Sequence, residues 1–362
     1  MRTESLIVHS EVDTLFIGTS PLVLLRALAA CKSGQRIAIL DRRSERGGAW
    51  NVHTTMGYSN VEAAVHLIEN RPRVYAHLER LGIRLEAADA ACWGQWRGLR
   101  MPLQWSRVLS FAGVCAKSIA LGKLDKARTN ARSTARAMRC VRSPFRYPTT
   151  GASQLINLLL DALASHGVQP QCGVSIDHAE FMADRSSGIA TTTHGKIRFK
   201  RLALASRAHC PISIGGIPMP IACVPSVTEC IAIRVIHCGS RRFSYVELLA
   251  DPILRRMRDL SSMVSPTPPH GERVLSMQVR PSSQLQDLSA IAYGTLCVER
   301  LIHRGLLPHG AIAVDACRTN YAFDTIPNGA LSSLARELQG ALIPIHTTDF
   351  AEELLSLLDA AH

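Results

Sequence analysis

The sequence predicts an α/β chain, built on a parallel sheet and carrying a second, α+β lobe inserted into it. Three observations predict this. Residues 12–17 (VDTLFI) form a short apolar run that stops at Gly18, the pattern of a strand buried on both faces. Residues 20–32 follow with Leu22, Leu25, Leu28 and Ala29 on one helical face, and Gly34 is placed to stop that helix. Residues 36–40 (RIAIL) form a second strand that Asp41 closes. Strand, tight turn, helix and strand within about 30 residues make a βαβ unit.

The bulk properties fit a globular chain. Its 362 residues suffice for two lobes and a core. A hydrophobic share of 47% against 19% charged residues excludes a disordered chain, and 5% aromatics imply an aliphatic core. No apolar run reaches the roughly 18 residues needed to span a bilayer. Residues 1–13 hold no apolar stretch of the secretory-leader kind. The 11 cysteines include no C-x-x-C pair. They are expected as reduced thiols of a cytoplasmic protein, mostly buried, with no metal site. The net charge of +12 suits an anionic partner or substrate.

Further along, a helix is expected over 72–81, then loose tryptophan-containing chain to about 100. Residues 105–121 are an apolar helix. Residues 123–146 carry eight basic residues and one acid, with Arg128, Arg132 and Arg136 four apart on one helix face. This segment is either a solvated helix face or a docking surface for an anionic membrane, a protein partner or a carrier-bound substrate. It lacks the interleaved aromatics of single-strand nucleic-acid binders, so no nucleic acid is expected. An amphipathic helix over 153–166 precedes strands at 173–181, 188–193 and 196–205. More strands are expected at 231–236, 243–249 and 275–279. Residues 289–302 stay open, with helix suggested over 297–304; helices close the chain at 329–342 and 349–360.

The chemistry concentrates at the first turn. A diphosphate needs close backbone approach and free N–H groups at a helix N-terminus, where the helix dipole favours negative charge. The common solution, G-x-G-x-x-G, survives here only at Gly18; Ser20 and Val23 replace the other glycines. Ser20 is small and offers a hydroxyl to cap the helix or meet phosphate. Asp41, 23 residues after Gly18, stands where an acid accepts ribose hydrogen bonds. Gly47 and Gly48 follow, then Ala49 and Trp50, and Arg42 is placed to pair with phosphate. The alternative is an ordinary βαβ unit without ligand.

These residues, DTLFIGTS…RIAILDRRSERGGAWN, resemble the N-terminal FAD segment of the amine oxidase and protoporphyrinogen oxidase-like flavoproteins, whose relatives include UDP-galactopyranose mutase and the Rab GDP-dissociation inhibitors. A second block, Tyr147 to Gly151 with the helix to His166, Gly167-Val168 and Ile176, resembles the same superfamily. The resemblance covers roughly residues 11–60 and 145–210. It implies a Rossmann-like FAD/NAD(P)-binding domain over 1–71, 145–210 and 301–362, and a substrate lobe over 72–144 and 211–300. It also implies FAD, with its diphosphate at Gly18 and Ser20, a ribose on Asp41, adenine near Ile176, and residues 47–50 running towards the flavin. The implied activity is a flavoprotein oxidoreductase acting on a small or carrier-bound organic substrate. A redox-silent binding protein and a redox-neutral flavoenzyme are the alternatives, because two turn glycines and the family's C-terminal glycine-rich block are missing. No catalytic acid or base can be named. His194, His209 and His237 are expected to be structural, Cys223, Cys230 and Cys238 core residues, and Trp93, Trp96 and Trp105 either core or substrate-lobe lining.

Overall fold

The computed structural model describes residues 10–360 apart from 63, 69–70, 88–91, 97–98, 140–144, 209, 240–242, 250, 283–284 and 347–349, and apart from the side chains of 10, 87, 125, 126, 129, 136, 139, 352 and 360. His209, Arg136's side chain and part of the basic segment therefore lie outside the described residues.

In chain order the elements are β1 (Ser10–Ile17), α1 (Pro21–Lys32), β2 (Ile37–Asp41), β3 (Val52–Thr55), β4 (Tyr58–Glu62), α2 (Pro72–Arg80), β5 (Leu85–Ala87), β6 (Cys92–Trp96), β7 (Leu99–Pro102), α3 (Leu103–Ala120) and α4 (Leu124–Arg139). Then come β8 (Arg146–Pro148), α5 (Ala152–Ala164), β9 (Gln171–Cys172), β10 (Ile176–Phe181), β11 (Gly188–Thr192), β12 (Gly195–Ala205), β13 (Ile212–Ile214) and β14 (Ile217–Pro218). The rest are β15 (Val224–Ile236), β16 (Tyr245–Leu249), β17 (Leu254–Asp259), β18 (Arg273–Val279), α6 (Ala290–His303), β19 (Ile312–Thr325), α7 (Asn328–Glu337), β20 (Leu342–Ile345) and α8 (Phe350–Ala360). They form two compact units: residues 1–51, 153–227 and 322–362, and residues 52–152 and 228–321. Residues 52–71, 145–152 and 301–321 thus belong to the second unit, and residues 211–227 to the first.

The first unit is built on a nine-stranded sheet, ordered β14-β13-β10-β11-β12-β1-β2-β9, with β20 also on β12. β1 lies parallel between β12 and β2, and its apolar end, Leu15, Phe16 and Ile17, is buried. β10, β11 and β12 form an antiparallel meander. The eleven residues of β12 serve two neighbours along one edge: β11 along the first half and β20, parallel, along the last four residues. One core gathers Leu15, Ile17, Leu40, Phe181, Phe199, Leu202 and Leu204 with Leu331 and Leu334 of α7 and Leu338 just after it. α1 begins with Pro21 at its first position, which needs no N–H partner, and buries Leu22, Val23, Leu24, Leu25 and Leu28.

The second unit is built on a seven-stranded sheet, β19-β15-β18-β17-β16-β6-β7. The inward residues Ile231, Ile233, Val246, Leu248, Met257, Leu275 and Met277 pack with Trp93 and with Tyr293, Cys297, Val298 and Leu301 of α6. Several expectations are corrected here. The stretch after 82 contains strands rather than loose chain; β6 is held by parallel pairing with β16, a partner some 150 residues away that no local pattern reveals. Residues 289–302 are one helix, capped by the Ser289 hydroxyl, which accepts from the Ala292 N–H. The helix expected over 329–342 stops at Glu337, because Gln339 (φ 50°) and Gly340 (φ 86°) turn the chain into β20.

Helix α3 lies very close to β6. A Cβ built on Gly94 would stand 2.0 Å from the Ser106 Cβ. Gly94→Ala should therefore destabilise the protein by about 1–3 kcal/mol through overpacking, read as a lowered urea midpoint. Four of the described cysteines are buried (Cys210, Cys230, Cys238 and Cys297) and six half-buried, so burial is less general than expected. Burial pushes the Cys210, Cys230 and Cys297 thiols up to about 12. These three should escape iodoacetamide in the native protein and react in guanidinium, as mass mapping would show.

Candidate nucleotide site

The first turn, the end of β2 and the glycine pair meet at one side chain, Thr19. Gly18 leaves β1 at φ 103°, a left-handed conformation that L side chains rarely adopt. This turns the next residue, fully buried Thr19, towards Asp41. The Thr19 hydroxyl donates to Asp41 Oδ2 (2.6 Å) and accepts from the Gly47 N–H (3.0 Å). The Thr19 N–H donates to the same Oδ2 (2.9 Å), and the Arg43 N–H donates to Oδ1 (3.0 Å). Asp41 is 7% exposed. A carboxylate offers about four acceptor positions; three are filled, leaving one on Oδ1.

The glycine pair makes room for the substituted turn. A Cβ on Gly48 would come within 3.3 Å of the Ser20 Cβ, and one on Gly47 within 3.2 Å of the Asn51 nitrogen and the Ile156 Cδ1. Gly47 and Gly48 both have positive φ, at 98° and 59°. The space usually left by the turn's second glycine is thus supplied from the opposite segment. Ser20 caps α1 in extended geometry, but its hydroxyl makes no cap bond and is buried with no partner among the described residues. The first turn of α1 holds no acidic residue.

The remaining expected residues are placed as follows. Arg42 is exposed, and its guanidinium donates to the Ala322 carbonyl (3.4 Å). Ala49 and Trp50 lie in a 3-10 turn with Gly48; Trp50 is buried, its ring centroid 5.4 Å from that of Phe350. Ile176 is half-buried and pairs with Thr192 beside a bulge in β10. The residue that reaches the Asp41 backbone is Val174, whose N–H donates to the Asp41 carbonyl. Thr19 was missed, because one hydroxyl at the variable position of the turn leaves no repeating signal.

The second block behaves differently. Tyr147 and Gly151 belong to the second unit, where they enclose Glu62. Glu62 is 2% exposed and accepts from the Tyr147 hydroxyl (2.8 Å) and the Ala152 N–H (2.8 Å). Burial raises its carboxyl above the usual range, with the nearby Arg258 opposing. Arg258 stacks 3.5 Å above the Tyr147 ring and donates to the His66 carbonyl. Glu62 is thus satisfied by partners of its own unit.

His194 and His237 are exposed, and burial raises the Cys230 and Cys238 thiols to about 12 and about 11, so neither supplies a thiolate at neutral pH. Cys223 is half-buried. Trp93 is core, whereas Trp96 and Trp105 are each 45% exposed. Among the described residues no group of three or more potential ligands could hold a metal.

No family model matches the chain, and no curated protein matches it. Solved structures do. Putrescine oxidase bound to putrescine is 13% identical, with a TM-score of 0.61, over 94% of this chain and 94% of that one. Reduced UDP-galactopyranose mutase is 13% identical, with a TM-score of 0.63, over 92% and 89%. An oxidoreductase from Methanosarcina mazei is 10% identical, with a TM-score of 0.65, over 96% and 100%. At these identities the likeness is one of architecture, and it agrees with the local features at Gly18, Asp41 and Gly47–Gly48. The chain therefore has the Rossmann-like α/β fold that these solved structures share.

Proposed function

We propose that the first unit holds FAD and that the protein is an FAD-dependent oxidoreductase acting on a small or carrier-bound organic substrate. The head of α1 carries this reading: Gly18 is in left-handed conformation, the helix dipole is unopposed by any first-turn acid, and the buried Ser20 hydroxyl has no partner among the described residues. A phosphate oxygen is the acceptor that such a donor takes. The open acceptor position on Asp41 Oδ1 suits a ribose hydroxyl, and the Gly47–Gly48 backbone supplies the close approach. The adenine would lie by the 174–176 segment. When bound, the flavin would supply two-electron redox chemistry; this chain's residues would bind and orient it. The reduced-thiol reading supports a cytoplasmic location; among the described residues no helix is long and apolar enough to cross a membrane.

One observation favours the redox-silent reading. Both Asp41 oxygens already accept bonds from the chain, so the turn is satisfied without a ligand. Colour separates the two. Purified protein should show flavin absorbance bands, or gain them with added FAD; colourless protein that ignores FAD overturns the proposal. A redox-neutral flavoenzyme would also be coloured, but candidate substrates would not reduce its flavin anaerobically.

Asp41→Ala should weaken FAD retention by about 1–3 kcal/mol, measured by equilibrium dialysis on variants with native circular dichroism. Unchanged retention would remove Asp41 from the site. Thr19→Val leaves the Gly47 N–H and Asp41 Oδ2 each short of a partner. It should cost about 1–3 kcal/mol in urea unfolding of the apoprotein, whether or not FAD binds.

A further inference from the structure

Helix α3 leaves several large apolar side chains outside. It buries Leu103, Ser106, Val108 and Ser118, while Trp105 (45%), Leu109 (52%), Val114 (39%) and Ile119 (58%) are exposed. At Ser106 the close approach to Gly94 of β6 leaves no room for a large side chain. The turn into α4 adds Leu121 (58%) and Leu124 (63%), and Trp96 and Leu99 project at the tip of the adjoining β6–β7 hairpin. Soluble chains rarely leave so many large apolar side chains together on one element pair.

The charge around this surface has one sign. Residues 103–139 contain eight basic residues and one acid, Asp125, a net of 8 − 1 = +7 out of +12 for the chain. Arg107 is taken up by Glu247 at 2.9 Å. Lys117, Lys123, Arg128 and Arg132 are exposed, with two lysines flanking the apolar turn. α3 itself, with Arg107 and Lys117 in its length, is not a membrane span.

We propose that the α3–α4 hairpin docks on an anionic lipid surface, with Trp105, Ile119, Leu121 and Leu124 entering the headgroup boundary and the surrounding cations meeting lipid phosphates. An apolar face ringed by cations is complementary to such a surface and to few others. A second copy of the chain would bring like charge against like charge, so the charge pattern disfavours self-association through this face.

The test is sedimentation of the full-length protein with vesicles of phosphatidylcholine alone, or of phosphatidylcholine with phosphatidylglycerol. The protein should pellet with the anionic vesicles, less so as salt rises, and tryptophan emission should shift to the blue unless Trp105 is replaced by Phe. Lys117→Glu with Lys123→Glu should weaken partitioning at least tenfold, from about fivefold per lost cation. Leu121→Asp with Leu124→Asp should abolish it. All four side chains are exposed, so unchanged melting and circular dichroism would confirm intact folds. No binding to anionic vesicles at low salt would overturn the proposal, as would equal binding to both kinds of vesicle. So would a wild-type dimer in sedimentation velocity that the aspartate pair converts to monomer.

Discussion

The first unit depends on one buried hydroxyl. Thr19 joins the end of β1, the end of β2 and the glycine loop, as donor to Asp41 and acceptor from Gly47. Its own N–H and that of Arg43 fill two further acceptor positions of a nearly inaccessible carboxylate. Hydrogen bonds to a buried charge are the strong ones, and an unpaired buried carboxylate would be costly. None of the three segments can shift alone without stranding a polar group. The turn is therefore shaped by the chain itself, and a ligand would not have to order it.

The same junction explains how a degenerate glycine motif keeps its geometry. Close packing at a turn requires missing side-chain volume, and that volume need not come from a fixed position. Ser20 fills space that glycine would leave open, and Gly48 vacates the space opposite it. A motif scored position by position counts two losses. Scored by volume, the turn and the glycine pair form one unit, and substitutions in either are coupled.

Local patterns made β1, α1 and β2 legible, because a parallel strand is apolar throughout and a proline opens a helix. Asp41 was legible from its distance to Gly18, although its first partner is Thr19. Elements set by distant partners were not legible. β6 follows an acidic, alanine-rich stretch and becomes a strand through pairing with β16. β20, four residues long, follows a helix without a proline break and is held by the last residues of β12. The second block was legible as sequence, but its Tyr147 and Gly151 enclose the buried Glu62. A backbone turn that needs glycine looks the same whichever atom it makes room for.

Charge is sorted by burial in the second unit. Arg300 and Arg304 both bond Asp251, whose side chain is inaccessible; Arg318 pairs with Glu229 and Arg107 with Glu247. Burial forces this, because an unpaired ion inside costs several kcal/mol. Arginines that meet acids in the interior contribute little to the excess of 41 basic over 29 acidic residues. The excess must then appear where no desolvation penalty demands a partner, and the hairpin of α3 and α4, with the paired Arg107 set aside, carries 7 − 1 = +6 of it. Solubility alone would be served by spreading that charge over the surface. Its concentration beside outward-facing Trp105, Leu121 and Leu124 places attraction for anions and affinity for an apolar phase on the same element.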